Sequence, residues 1–315
     1  MTNYYFNGLH ITSELPLIPL TPLSPNTAEQ AQVFIRLGAV PSALEQPLKQ
    51  TATFMLTQDS ALISIPGVAR FLVEHGSHIT IAVNRNCPLN DISTFVTSIV
   101  WSALSYQRSQ RLLKGALINI GGQTWLLSGL SPVGSSTFAL AMQTYFGAQV
   151  ISDEFCSYQP TERGIMVQPG IPAIKLWRDS LNFLERDAEL LEPVRSRLNK
   201  YWLPLAPYTA QPLQLTGIIG LQEWRSDDVS PVGIKPLSGF KALKRIYHHG
   251  YHPVYMQNKG AQQQKFQQDL HLVQQCNMLS FVFKRGWPSL QTSCEQLAIQ
   301  LTKQTTTQLI QRSSQ

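Results

Sequence analysis

The chain has 315 residues and a net charge of +6, from 25 Lys and Arg against 19 Asp and Glu, yet only 14% of it is charged, where a soluble domain ordinarily carries roughly 25%. With 43% hydrophobic residues it can bury enough apolar area to offset chain entropy, which excludes intrinsic disorder as the main state. The basic residues stand singly or in pairs such as Lys244-Arg245 and Lys284-Arg285, a pattern that argues against a nucleic-acid partner.

No apolar run is long enough to cross a membrane, and the start Met1-Thr2-Asn3-Tyr4-Tyr5 lacks the character of a signal peptide, so a cytoplasmic location is expected. Cys87, Cys156, Cys276 and Cys294 are far apart with no CxxC spacing, which predicts free thiols and no zinc site.

In chain order, apolar runs at Tyr4 to Ile11, Thr53 to Thr57, Ala61 to Ile65, Ala69 to Glu74 and His78 to Val83 are bounded by Gly, Pro and Asp-Ser breaks and predict short strands. Pro16 to Pro25 predicts an extended crossing segment, because proline cannot join the middle of a sheet. The period then changes. Ile92, Phe95, Val96, Ile99, Val100, Ala103 and Leu104 share one helical face, which predicts a helix from Asp91 to about Leu112 capped by Asp91.

Gly115 to Ile120 and Gln123 to Ser128, joined by Gly121-Gly122, predict a β-hairpin. A helix over Ser136 to Phe146 and a buried strand over Ala148 to Ser152 follow. Further on, the sequence predicts a charged helical stretch from Ser180 to Tyr201, a strand at Leu213 to Leu221, helices at Ser238 to His248 and Gln262 to Gln275, a strand at Leu279 to Phe283 and a last helix from Ser289 to Ile310. His248-His249 with His252, and His75 with His78, read as solvated loop histidines. Asp227-Asp228 reads as an exposed loop, and Trp177, Tyr201 and Trp202 as packing aromatics.

Most of the chemistry lies in Trp125 to Glu154. A strand, Gly129 and Gly134 five apart, and Ser135, Ser136 and Thr137 opening a helix form the layout in which backbone amides and a helix start cradle a phosphate. A complete phosphate loop reads GxxxxGK[ST]; here Ser135 stands where the lysine belongs. Asp153-Glu154, expected at the C-terminal edge of the neighbouring strand, suits either the holding of Mg2+, with Ser136 as hydroxyl partner, or the removal of a proton from an attacking hydroxyl.

Several segments resemble the HPr serine kinase-like family, in particular the stand-alone peptide kinases of lasso-peptide and related biosynthesis clusters. These are the opening from Tyr5-Phe6-Asn7-Gly8-Leu9 to Pro16, the run Ile65-Pro66-Gly67-Val68-Ala69-Arg70-Phe71-Leu72-Val73, the helix end at Gln107-Arg108 with Leu113, the loop from Gly129 to Thr137, Ile151-Ser152-Asp153-Glu154, Pro169 to Trp177, and Asn199-Lys200. The resemblance implies an α/β protein with a small β-rich N-terminal domain (1–90) and a connecting helix leading into an HPr-kinase-like P-loop domain (91–315). It further implies ATP and Mg2+ as cofactors, a peptide or small protein as substrate or partner, and assembly into a homo-oligomer.

In family terms Gly129, Ser131, Gly134, Ser135, Ser136 and Thr137 would bind the phosphates. Ser136, Asp153 and Glu154 would hold the metal, Asp153 would be the catalytic base, and Lys200 would touch phosphate or serve the structure. The departures fall on the chemistry: Lys114 replaces a His, Pro132 a Gly and Ser135 the lysine, while Glu154 replaces an Asp. Lys114 is then either a substitute cation for the cleft or a solvated residue at a strand start. Two functions stay open: ATP-dependent Ser phosphorylation of a peptide or protein, or an inactive pseudokinase that binds a nucleotide or peptide as a scaffold.

Overall fold

The computed structural model describes residues 1–24, 30–129, 133–206, 211–224, 233–256, 259–284 and 286–313. It is mixed α/β, with two eight-stranded sheets and one three-stranded sheet among the described residues. None of the described helices is long and apolar enough to cross a membrane.

The first sheet begins with a hairpin, Thr2–Phe6 against Leu9–Ser13. Asn7 and Gly8 both take positive φ (49° and 85°), so the Asn-Gly pair makes a tight turn where the sequence reading had one continuous run from Tyr4 to Ile11. Val33–Leu37, missed in the sequence, joins this hairpin in parallel to His78–Val83. The remaining strands, Lys49–Gln50, Phe54–Leu56, Ser60–Ile65 and Ala69–Glu74, complete an antiparallel meander. Alternation along Ala69–Glu74 buries Ala69, Phe71 and Val73 on the core face.

A continuous helical rod from Leu89 to Gln107, with a π-helical segment at Val96–Val100, carries the chain out of this sheet. It starts two residues before the expected cap. Asp91 instead accepts hydrogen bonds from the Ser196 amide (2.7 Å) and hydroxyl (3.1 Å). It also ends earlier than the periodicity implied: Ser109 takes a positive φ of 57°, and Arg111–Lys114 becomes a strand paired to Gln149–Thr161.

The rod is buried nearly all round, its polar Asp91, Ser93, Thr94, Thr97, Ser98, Ser102 and Ser105 included, because it is covered on both sides. Ile92, Val96, Val100 and Trp101 share one core with Phe6, Ile11 and Phe71 of the first sheet and with Phe155, Ile171 and Trp202 beyond it. Asn7, 3% exposed, ties the same layers together: its amide donates to the carbonyls of Gln168 and Pro169 (3.1 Å each), and its carbonyl oxygen accepts from the Trp101 indole at 3.4 Å.

The second sheet is sandwiched by helices. Gln123–Ser128, Leu213–Trp224 and Asn277–Lys284 run parallel at its centre, flanked by the antiparallel strands Ala116–Ile120, Gln149–Thr161 and Gly164–Ile171. Strand alternation sorts the two faces. Ala116, Ile118, Trp125 and Leu127 pack against the helices Ser135–Phe146 and Trp287–Ser313, whereas Leu117 and Leu126 pack against Gly239–His248 and Lys259–Gln275.

Two expectations fail here. The stretch Ser180 to Tyr201 contains only a short helix, Arg178–Phe183, and a 3-10 turn, Ala188–Leu190. Glu185 takes φ 55° and Pro193 lacks an amide proton, so the chain turns into Glu192–Pro193 and Lys200–Pro204, which pair with Ala173–Trp177. The strand expected to stop at Ser152 runs on as Gln149–Thr161, so Asp153-Glu154 lies inside a strand and not at its end. Asp227-Asp228 lies outside the described residues.

Candidate functional site

Because Asp153 and Glu154 are mid-strand, ordinary alternation would send them to opposite faces. Both line one cleft, since the register against Gly164–Ile171 shifts between Asp153 and Cys156 and Glu154 adopts φ 75°. This β-bulge re-aims the second carboxylate. Room for it comes from Gly170: a Cβ there would sit 1.9 Å from the Phe155 carbonyl oxygen.

The cleft has a volume of about 200 Å3. Of the sequence-predicted site residues, Lys114, Gly129, Gly134, Ser135, Ser136, Thr137, Asp153, Glu154 and Lys200 all line it. Ser131 and Pro132 lie outside the described residues. Two lining residues that sequence reasoning passed over are Lys175 and Trp177. Their signal was the alternation of the buried Ile174 and Leu176 with Lys175 and Trp177, which marks a strand with one face turned to the site.

The helix Ser135–Phe146 starts at Gly134, whose left-handed φ of 82° only glycine adopts freely, and no side chain caps it. The first-turn amides of a helix have no partners within it, and with the helix dipole they favour an anion at that end. The Thr137 hydroxyl is held 3.0 Å from that of Ser180, and Ser136 lines the cleft beside Asp153, where it favours the charged carboxylate. Asp153, 2% exposed, also accepts from the Lys175 amide at 3.2 Å. Burial, and then the neighbouring charge of Glu154, push its pKa above the ordinary carboxylate value.

Glu154 goes the other way. Burial alone would raise it, but the Lys175 ammonium at 3.0 Å and the Tyr251 hydroxyl donating at 2.7 Å hold it down at about 2. Both Glu154 oxygens are thus engaged, one by each partner.

Lys175 lies 4.9 Å from the Trp202 ring centroid, and Lys200 lies 4.8 Å from that of Trp177, which is 49% exposed. Burial lowers the pKa of Lys200, opposed by the pull of Glu154, and the charges of Lys175 and Lys114 lower it further. Three ammonium groups therefore face two carboxylates, one of which is driven towards its neutral form. The cleft carries surplus positive charge next to an uncapped helix start.

His249 holds the wall behind Lys114. It is 3% exposed, not the solvated loop residue expected, and its carbonyl accepts from the Lys114 amide at 2.8 Å. The Ser128 hydroxyl donates to the Lys114 carbonyl, so its oxygen accepts from the Nδ1–H of His249, 2.6 Å away. Burial, with Arg245 adding to it, pushes this imidazole down to about 4. Among the described residues no three His, Cys, Asp or Glu side chains cluster as a metal site, and the four cysteines are free thiols.

In a comparison with solved structures, the chain is similar to the HPr(Ser) kinase/phosphatase from Coxiella burnetii, with 11% sequence identity and a TM-score of 0.34 over 65% of this chain and 96% of that one. No family model matches the sequence. No curated protein matches it either.

Proposed function

We propose that the cleft binds the phosphates of a nucleotide and that the chain acts as a kinase-like protein on a Ser hydroxyl of a peptide or small protein. One observation carries this reading: Lys114, Lys175 and Lys200 converge with the uncapped start of helix Ser135–Phe146 on a cleft that also holds the buried Asp153. Surplus ammonium charge at a helix start favours a polyanion. The volume of about 200 Å3 is below the usual 300–1,000 Å3 of a small-molecule site, which suits a phosphate tail with the rest of the nucleotide lying outside.

The donor set fits ATP better than it fits a full Mg2+ shell. Gly129, Gly134, Ser135 and Thr137 would hold the phosphates through backbone and hydroxyl groups, with Lys114 and Lys200 replacing the charge missing at Ser135. Ser136 and Asp153 would hold the metal, whereas Glu154 is engaged by Lys175 and Tyr251. Bound ATP would supply the phosphoryl group. Asp153 in its ionised form, made a stronger base by its raised pKa, is suited to take the proton of an acceptor hydroxyl.

Removing one charge from the phosphate contacts lowers ATP affinity by about tenfold. Isothermal titration of Lys200→Ala and Lys114→Ala reads this directly; wild-type affinity in both variants contradicts the assignment. Mass spectrometry of an acceptor peptide after incubation with ATP and Mg2+ is expected to show one added phosphate, lost in Asp153→Asn. The engagement of Glu154 favours a second reading, a pseudokinase that binds nucleotide without transfer. ATP binding with no phosphate gain on any tested peptide selects it.

A further inference from the structure

A cavity of about 840 Å3 lies away from the phosphate cleft, between the helices Gly239–His248 and Lys259–Gln275. Helix Gly239–His248 has two apolar faces. Ala242 and Ile246 are buried against the sheet, while Phe240, Leu243 and Tyr247, at i, i+3 and i+7, turn into the cavity. A surface helix ordinarily carries one such stripe. Phe240 is 78% exposed and Tyr247 65%, and Phe266 faces them from the second helix at 54%. Clustered exposed aromatics of this kind mark an interaction surface.

The charge around the cavity has one sign in excess. Lys49, Lys244 and Lys265 line it against a single acid, Asp269. Asp269 is itself fully used: Lys265 Nζ lies 2.9 Å from one oxygen, and the other receives Arg111 at 3.3 Å and the Tyr158 hydroxyl at 2.6 Å. Two buried cations thus share one buried carboxylate beneath an apolar floor, which leaves the cavity attractive to an incoming acid.

The cavity is linked to the phosphate cleft by one short segment. His249 and Tyr251 bond to the walls of the cleft, through the Lys114 amide and Glu154, while Pro253, Val254 and Met256 line the cavity. We infer that this cavity docks an acidic peptide, whose apolar side chains enter between Phe240, Tyr247 and Phe266 and whose carboxylates meet Lys244 and Lys49, presenting the rest of the peptide towards the cleft. The choice of a peptide as partner rests on the function proposed above. The sign of its charge and its apolar character rest on the cavity.

Fluorescence anisotropy tests this with the full chain, without nucleotide, and with a short labelled peptide that alternates Glu with Leu and Phe. Saturable binding is expected. It should weaken by at least about tenfold in Phe240→Glu and in Lys244→Glu, and it should weaken as salt rises from about 0.1 M to about 0.5 M. Phe240 is exposed enough that its replacement leaves the fold intact, which circular dichroism checks.

No binding of the acidic peptide, equal binding of a Lys-for-Glu counterpart, or unchanged binding in Phe240→Glu would each overturn the inference. Binding of dodecanoate in place of the peptide would overturn it in favour of a small amphiphile. ATP titration of the same samples separates the two proposals: lost nucleotide binding with peptide binding intact strikes the cleft alone.

Discussion

Replacing Gly170 by Ala is expected to destabilise the protein by about 3 kcal/mol or more and to lower the melting temperature by at least about 6 °C. The new Cβ would lie 1.9 Å from the Phe155 carbonyl oxygen and 3.3 Å from that of Asp153, both backbone atoms that no rotamer change can move aside. Relief requires the bulge between Asp153 and Cys156 to shift, and with it the left-handed Glu154 that faces Lys175 and Tyr251. The variant should therefore lose ligand binding in the cleft along with stability.

A glycine outside the site gives the comparison. Gly67 has φ 76° with nothing within 4 Å of its absent side chain, so Gly67→Ala is expected to cost only the ~1 kcal/mol of an unfavourable φ. Differential scanning calorimetry of the two variants separates a close backbone approach from plain conformational strain. Equal losses in both would contradict the role given to Gly170.

Acidification is expected to remove a comparable amount of stability, beginning with His249. Its imidazole is held neutral at about 4 in the folded chain against 6.5 in the unfolded one. Between those values the unfolded state binds the proton and the native state does not, so stability falls as pH drops. His249's share of the loss amounts to about 2 kcal/mol between pH ~7 and ~4.5.

Glu154 acts in the same direction but lower, from its ordinary 4.5 down to about 2. Asp153 opposes both: its pKa is raised on folding, so its burial cost is relieved as it takes up a proton. Between 6.5 and 4.5 His249 is joined by His252, whose pKa burial also lowers, and Asp153 acts against them. Denaturant unfolding of the wild type and of His249→Asn, whose amide can still donate to Ser128, should show the steeper loss of stability on acidification in the wild type. Equal slopes in the two would contradict the burial of a neutral imidazole.

The parts of this fold that were legible in the sequence are those set by local chemistry. The Gly121-Gly122 hairpin, the strands Ala69–Glu74 and His78–Val83 and the helix following Gly134 were readable because turn residues and side-chain period decide them locally. Elements fixed by distant partners were not. Ser180 to Tyr201 has enough charged helix formers to read as a helix, yet pairing of Lys200–Pro204 with Ala173–Trp177 overrides that propensity. Likewise, Arg111–Lys114 leaves the helical pattern because Gln149–Thr161 offers it a backbone partner.

The cleft divides in the same way. Gly134, Ser136, Asp153 and Glu154 followed from a recognisable spacing, and the structure gathers them with Lys114 and Lys200. Lys175 was passed over because its importance lies in a cross-strand contact with Glu154 that spacing cannot express. The bulge that aims both carboxylates into one space was hidden for the same reason: its sequence mark is Gly170, distant in the chain and ordinary in type. His249 read as a loop residue because its burial depends on Ser128 and Lys114, brought to it by the sheet.

The claim that the cleft is a phosphate site is met most directly by isothermal titration of the intact protein with ATP, in the presence and absence of Mg2+. Saturable one-site binding is predicted, competed by inorganic pyrophosphate and weakened in a Lys114→Ala, Lys200→Ala double variant that keeps its wild-type melting temperature. No heat of binding at millimolar ATP, or binding that pyrophosphate leaves untouched, would contradict it.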